Sequence, residues 1–140
     1  FYMGHGSGTS WPSMYKTYTI SDINLISNKG DVKPIIIDVA CLNGKISNGY
    51  LGTAFSSMLT STAIGAAAYY GGTVNISWHP PALMAQGIAF EHKKNNFSHL
   101  GEALLAGQMY LANNWSSKSA VIDNFEWYIL QGDPSLNIKN

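Results

Sequence analysis

Cysteine is nearly absent: the 140 residues contain 1. A single thiol excludes an intrachain disulfide, so the redox compartment cannot be read from cysteine usage, and Cys41 stands as a free thiol. Charge is scarce as well, at 11% of residues, with 8 Lys and Arg balanced by 8 Asp and Glu. That balance removes the electrostatic footprint needed to hold a phosphate backbone or an acidic membrane surface, so no nucleic-acid partner is expected. Gly, Ser, Asn and charged residues interrupt every apolar run before it reaches the roughly 18 to 20 residues of a membrane-spanning helix. No membrane span is expected either. The sequence does not open on a basic segment followed by an apolar one, and Phe1 stands where an initiator Met would. The chain is therefore expected to begin part-way through a larger polypeptide.

What is present is apolar material in short, punctuated segments. Hydrophobic residues make up 46% of the chain, enough for one globular domain, residues 1–140, with a real core. The chain opens directly on a strand-like segment, which in a parallel sheet would need neighbours from an upstream segment. Ser21-Asp22-Ile23-Asn24-Leu25-Ile26 reads as a capped helix with Ser21 at the N-cap and Asp22 in the first turn; Gly30 and Pro34 bracket its exit. Ile35-Ile36-Ile37 points β-branched side chains to both faces, as a central strand covered on both sides would.

Beyond a turn-rich stretch from Asn43 to Gly49, Leu51, Phe55, Met58 and Leu59 recur at helical spacing and predict a helix over 50–60. Residues 63–70 suit a third strand bounded by Gly71-Gly72, and residues 71–81 a loop. Helices are expected over 82–93, 98–113 and 120–130, the last stopped by Gly132-Asp133-Pro134. The order β-α-β-α-β-α-α-α implies an α/β chain folded as a three-layer α/β/α sandwich with a mostly parallel sheet. No internal repeat is present.

Two residues sit where an apolar run gives way to a loop. His5 lies in Phe1-Tyr2-Met3-Gly4-His5-Gly6-Ser7-Gly8, and Cys41 closes Pro34-Ile35-Ile36-Ile37-Asp38-Val39-Ala40-Cys41. In an open parallel sheet, residues just past the carboxyl ends of neighbouring strands face one crevice. Thiolate attack on a carbonyl needs a base, usually imidazole, and backbone N–H groups to hold the developing oxyanion. His5 and Cys41 supply the first two, and the N–H groups of Gly6 and Cys41 are the oxyanion candidates. Taken alone, a single buried cysteine is more often an inert packing residue. Asp38 alternates onto the face opposite Cys41 and is expected to play a structural hydrogen-bonding role.

Gly4-His5-Gly6-Ser7, followed by Ala40-Cys41 with Gly44 behind it, resembles the catalytic half of a gingipain-type cysteine peptidase. The wider caspase-like group shares the strand–His-Gly and strand–Ala-Cys arrangement. The resemblance continues through Trp78 and the closing Gly132-Asp133-Pro134-Ser135-Leu136, and so spans the chain. It implies the C-terminal part of a single caspase-like peptidase domain acting as a cysteine endopeptidase. In that resemblance His5 is general base or acid, Cys41 the nucleophile, Gly6 an oxyanion donor, and Trp78 a substrate-binding residue over the pocket preceding the scissile bond. The implied partners are a protein or peptide substrate and the N-terminal part of the same domain, covalently joined or as a processed chain. The implied location is secreted or at a bacterial cell surface. No cofactor is required; a structural calcium ion would be compatible with the resemblance but is not indicated by the sequence. The family also contains a sortase-like transpeptidase, and a peptidase-like module that has lost turnover is the alternative from another class.

Other motifs are weaker. The glycines around His5 lack the Lys-Ser/Thr of a P-loop and the G-x-G-x-x-G of a dinucleotide site. They also resemble a hydrolase oxyanion loop, yet no G-x-S-x-G elbow follows. Trp78, before His79-Pro80-Pro81, serves equally well as a packing anchor. His92 and His99 have no partners at metal-ligand spacing and read as surface residues, so no metal site is expected. Asn75-Ile76-Ser77, Asn96-Phe97-Ser98 and Asn114-Trp115-Ser116 fit the glycosylation pattern but decide nothing by themselves.

Overall fold

A computed structural model describes residues 1–26, 32–56 and 65–139. They fall into two compact units, Phe1–Ile76 with Tyr128–Gly132, and Ser77–Trp127 with Asp133–Asn140.

The first unit holds β1 (Tyr2–Met3), β2 (Ser10–Trp11), β3 (Tyr18–Thr19), α1 (Ile20–Ile23), β4 (Ile35–Val39), α2 (Leu51–Ser56) and β5 (Ala68–Gly72). The second holds α3 (His79–Asn95), α4 (Leu100–Asn114) and α5 (Lys118–Trp127), after which β6 (Tyr128–Gly132) returns to the first unit. Its sheet runs β1-β4-β5-β6, and β2 pairs with β3 as a separate antiparallel ribbon. β1 and β5 both lie parallel to β4, with Tyr2 opposite Asp38 and Ile36 opposite Tyr69; β6 is antiparallel to β5. The α/β class and mostly parallel sheet are as expected, and β4 is an interior strand, as its Ile35-Ile36-Ile37 run requires.

Ile36, Asp38 and Tyr69 share one face of the sheet by this register, and α1 and α2 cover Tyr69 through Ile23, Leu51 and Phe55. An aromatic column fills that layer. Trp11 stacks on Tyr2 and Tyr18 at 5.0 Å each and on Phe55 at 5.7 Å, and Phe55 continues to Tyr69 at 5.8 Å. Offset stacking at these separations adds about 0.5–1.5 kcal/mol per pair to the burial of the rings.

Several boundaries differ from the sequence reading. The cap of α1 is Thr19 rather than Ser21: the Asp22 carboxylate reaches back to the Thr19 N–H (2.7 Å) and hydroxyl (2.8 Å), a reciprocal box that draws Ser21 inside the helix. α2 occupies Leu51–Ser56, and the expected continuation over 57–60 lies outside the described residues, as do Gly30 and residues 63 and 64. Gly71 and Gly72, expected as the boundary of the third strand, belong to it. α3 starts three residues early because Pro80 and Pro81 take first-turn positions that need no N–H donor. The expected helix over 120–130 ends at Trp127; Tyr128-Ile129-Leu130 instead pairs with β5, so Gly132, at φ 154°, closes a strand.

Within the second unit, α3 and α4 bury Met84, Ile88, Leu104 and Leu111. The carbonyls of Pro134 and Leu136 accept the first N–H groups of α4, from Gly101 at 2.8 Å and Leu100 at 2.9 Å. The closing segment thus satisfies donors that a helix start leaves without intrahelical partners. No helix among the described residues is long and apolar enough to cross a membrane.

Candidate active site

The loops that follow β1 and β4 leave parallel neighbouring strands at the same end, and they carry His5 and Cys41. The Gly4 N–H still bonds the Val39 carbonyl at 3.3 Å, carrying the pairing one residue past the strand. Gly6 then lies flat on the other loop: a Cβ there would collide with the Cys41 carbonyl oxygen and stand 2.9 Å from both the Ala40 Cβ and Asn43 Nδ2. Only a residue without a side chain allows that approach. His5 itself is exposed; its N–H donates to Ser13 Oγ at 2.9 Å, and its carbonyl accepts the Tyr2 hydroxyl at 2.7 Å. Both ends of the His5 peptide unit are therefore held.

Cys41 is half-buried. Its sulfur accepts the Ile76 N–H at 3.4 Å, and the thiol donates to the Ile76 carbonyl oxygen at 3.7 Å. An N–H aimed at sulfur is a donor that an anionic thiolate uses more strongly than a neutral thiol. The chain then turns sharply. The Asn43 N–H reaches back to the Cys41 carbonyl at 2.7 Å around Leu42, whose φ is 63°. A γ-turn at positive φ on a leucine is a strained conformation, of the kind that costs about 1–3 kcal/mol and persists only where its surroundings hold it. They do so here: the Leu42 N–H bonds Val74 O at 2.9 Å, and the Gly44 N–H bonds Gly72 O at 2.8 Å. Gly44 in turn presses on the β5 backbone so closely that a side chain there would strike the Gly71 carbonyl. Among the described residues, no carbonyl takes the N–H of Gly6 or of Cys41.

Beneath these loops, on the α2 side of the sheet, lies Asp38, which is fully buried. Its Oδ2 accepts from Trp11 Nε1 (2.7 Å), Asn43 Nδ2 (3.0 Å) and the Tyr69 hydroxyl, while Oδ1 has no partner among the described residues. Burial raises the carboxyl above its ordinary range, and the three donors oppose that rise without cancelling it. The same environment raises the Tyr69 hydroxyl, first through burial and then through the Asp38 charge. Asp38 thus has the structural role expected of it. Tyr128 is also buried, its hydroxyl has no partner among the described residues, and burial followed by the charges of Tyr70, Asp38 and Cys41 raises its pKa.

Trp78 belongs to the second unit, where it caps α3 and is 55% exposed. In the same unit His92 stacks on Phe97 at 6.4 Å, and His99 caps α4 through Glu102. No group of three His, Cys, Asp or Glu side chains comes together among the described residues as a metal cluster would. The residues missed by sequence reasoning are Asn43 and Ile76. Asn43 stands in an Asn-Gly pair two positions after Cys41, which signals only a turn; Ile76 contacts sulfur through its backbone and leaves no signal.

A mostly parallel α/β sheet thus holds a thiol loop and a histidine loop against each other beyond adjacent strands. The chain belongs to peptidase family C25, whose model matches residues 1–139. It is similar to the Arg specific cysteine proteinase gingipain R, at 25% identity and TM-score 0.77 over 97% of this chain and 32% of that one. It is also similar to the complex of RgpB pro- and mature domains from Porphyromonas gingivalis, at 24% identity and TM-score 0.81, covering 96% and 32% of the two chains. A third structure, described only as a protease, matches at 20% identity and TM-score 0.75 over 97% and 34%. The chain therefore spans about a third of the length of the solved chains it matches. No curated protein matches the sequence.

Proposed function

We propose that this chain carries the nucleophile and base of a cysteine endopeptidase. Cys41 transfers its proton to His5, and the thiolate attacks the carbonyl carbon of a peptide bond. A C–S bond forms, and the carbonyl oxygen gains negative charge opposite the N–H groups of Gly6 and Cys41. His5 returns the proton to the departing amine as the C–N bond breaks. Water, deprotonated by His5, then cleaves the thioester to a free acid and restores the thiol. No cofactor enters these steps. The observation that carries the reading is the seat of Gly6 on the Cys41 carbonyl, which brings the residue after His5 against the nucleophile's own peptide unit.

The rest follows family membership. Trp78 serves as a substrate contact, and the substrate is a protein or peptide. Residues 1–140 act as the C-terminal part of a single caspase-like domain, completed by an upstream part of the same protein, at a secreted or bacterial cell-surface location. The test is stoichiometric labelling of the full-length protein by a peptidyl electrophile. Labelling that Cys41→Ala abolishes supports the peptidase, and an unreactive thiol in folded protein contradicts it and leaves a binding or structural module. Product analysis with an added amine separates hydrolysis from transpeptidation: free acids alone are expected, and an amide product would assign the sortase-like activity.

A further inference from the structure

Resting on that peptidase reading, we propose that Asn43 is a positioning residue, which sets the spacing of the His5 and Cys41 loops without touching the substrate. Asn43 is fully buried, and every polar group it owns is used. Its Oδ1 accepts the N–H of Gly8, in the loop that carries His5, at 2.8 Å, and its Nδ2 donates to the carbonyl of Ser10, where that loop enters β2, at 3.4 Å. Its own backbone N–H closes the turn onto the Cys41 carbonyl at 2.7 Å, and its carbonyl takes the Gly52 N–H at 2.8 Å. One side chain therefore ties the histidine loop to the very turn that presents the sulfur.

The amide is held in orientation by Asp38, which accepts its second N–H at 3.0 Å and is fixed in turn by Trp11 and Tyr69. No other common side chain reproduces this. Aspartate has no N–H to give Ser10 and would face Asp38 with a like charge, whereas alanine leaves the Gly8 N–H and the Ser10 carbonyl unlinked to β4. Gly6, pressed between the two loops, has no side chain with which to hold them in register, so that task falls to Asn43.

The test uses the full-length protein, with the bond it cuts fastest in casein presented as a quenched peptide. The kcat and KM are measured per site titrated by a peptidyl electrophile. Asn43→Ala is expected to lower kcat per titrated site about 100-fold with KM within about threefold, because misplacing reacting groups by one ångström costs about that much. A variant that melts earlier but keeps wild-type kcat per titrated site would overturn the proposal and leave Asn43 a purely structural residue. Should Asn43→Ala not fold, Asp38→Asn decides, since it keeps an oxygen for the Trp11, Tyr69 and Asn43 donors but weakens all three hydrogen bonds, the one that orients Asn43 among them. A several-fold fall in kcat at constant KM supports the proposal, and unchanged kcat overturns it. A wild-type protein that folds but neither labels nor cuts casein would instead sink the peptidase reading itself.

Discussion

Gly6 rests on the carbonyl of Cys41 with no room for a methyl group between them. The contact joins the two loops that carry the candidate base and nucleophile, and it makes the position intolerant of any side chain. Gly6→Ala would have to push back the Cys41 carbonyl, the Ala40 Cβ or Asn43 Nδ2. Overpacking of this kind costs about 1–3 kcal/mol of stability, to be read from urea unfolding. Activity is expected to suffer more than stability, with kcat/KM down at least about 100-fold at a temperature where the variant is folded, because the displacement falls on the reacting groups.

Asp38 makes a prediction with a definite sign. Its folded-state pKa lies above the ordinary 3.8, so between the two values the native state holds a proton that the unfolded state has lost. Stability from this group is fully present below the unfolded value and is lost as pH rises through the folded one. Asp22, Glu102 and Asp133 behave oppositely: hydrogen bonds lower each of them, so their contributions are lost as pH falls. Comparison with Asp38→Asn isolates the buried group, because those three carboxylates remain in both proteins. The wild type is expected to gain stability relative to the variant as the pH is lowered toward 3.8. A difference that does not change with pH would show that Asp38 ionises as it does in water.

The aromatic column gives a packing prediction. Phe55 is 2% exposed and lies between Trp11 and Tyr69. Phe55→Ala is expected to cost about 3–5 kcal/mol in denaturant unfolding. Trp11→Phe keeps a stacked ring but removes the Nε1 donor from Asp38, and is expected to cost about 1–3 kcal/mol as a buried acceptor loses a partner.

Much of this molecule is legible in its residues. The Ile35-Ile36-Ile37 run announces an interior strand, and the strand–loop placement of His5 and Cys41 announces two loops at the same end of adjacent parallel strands. What stays hidden depends on partners distant in sequence. Tyr128-Ile129-Leu130 continues the apolar pattern of the helix before it, and only the unpaired edge of β5 draws it into β6. β2 and β3 are two residues each, too short for alternation to register, and they are fixed by the stacking of Trp11 on Tyr18. Thr19 wins the cap from Ser21 because Asp22 reaches it, a choice made by side-chain geometry rather than residue preference. Asn43 looks like turn chemistry until Gly8, Ser10 and Asp38 are folded around it.

Intact and peptide mass spectrometry of the folded full-length protein after treatment with a peptidyl chloromethyl ketone decides whether Cys41 is a nucleophile. A Cys41 nucleophile served by His5 gives one adduct per chain, mapped to Cys41, absent from Cys41→Ala and slowed at least about tenfold in His5→Ala, whose thiol lacks its base. A Cys41 that stays unmodified, or one that reacts equally fast with and without the His5 imidazole, contradicts it.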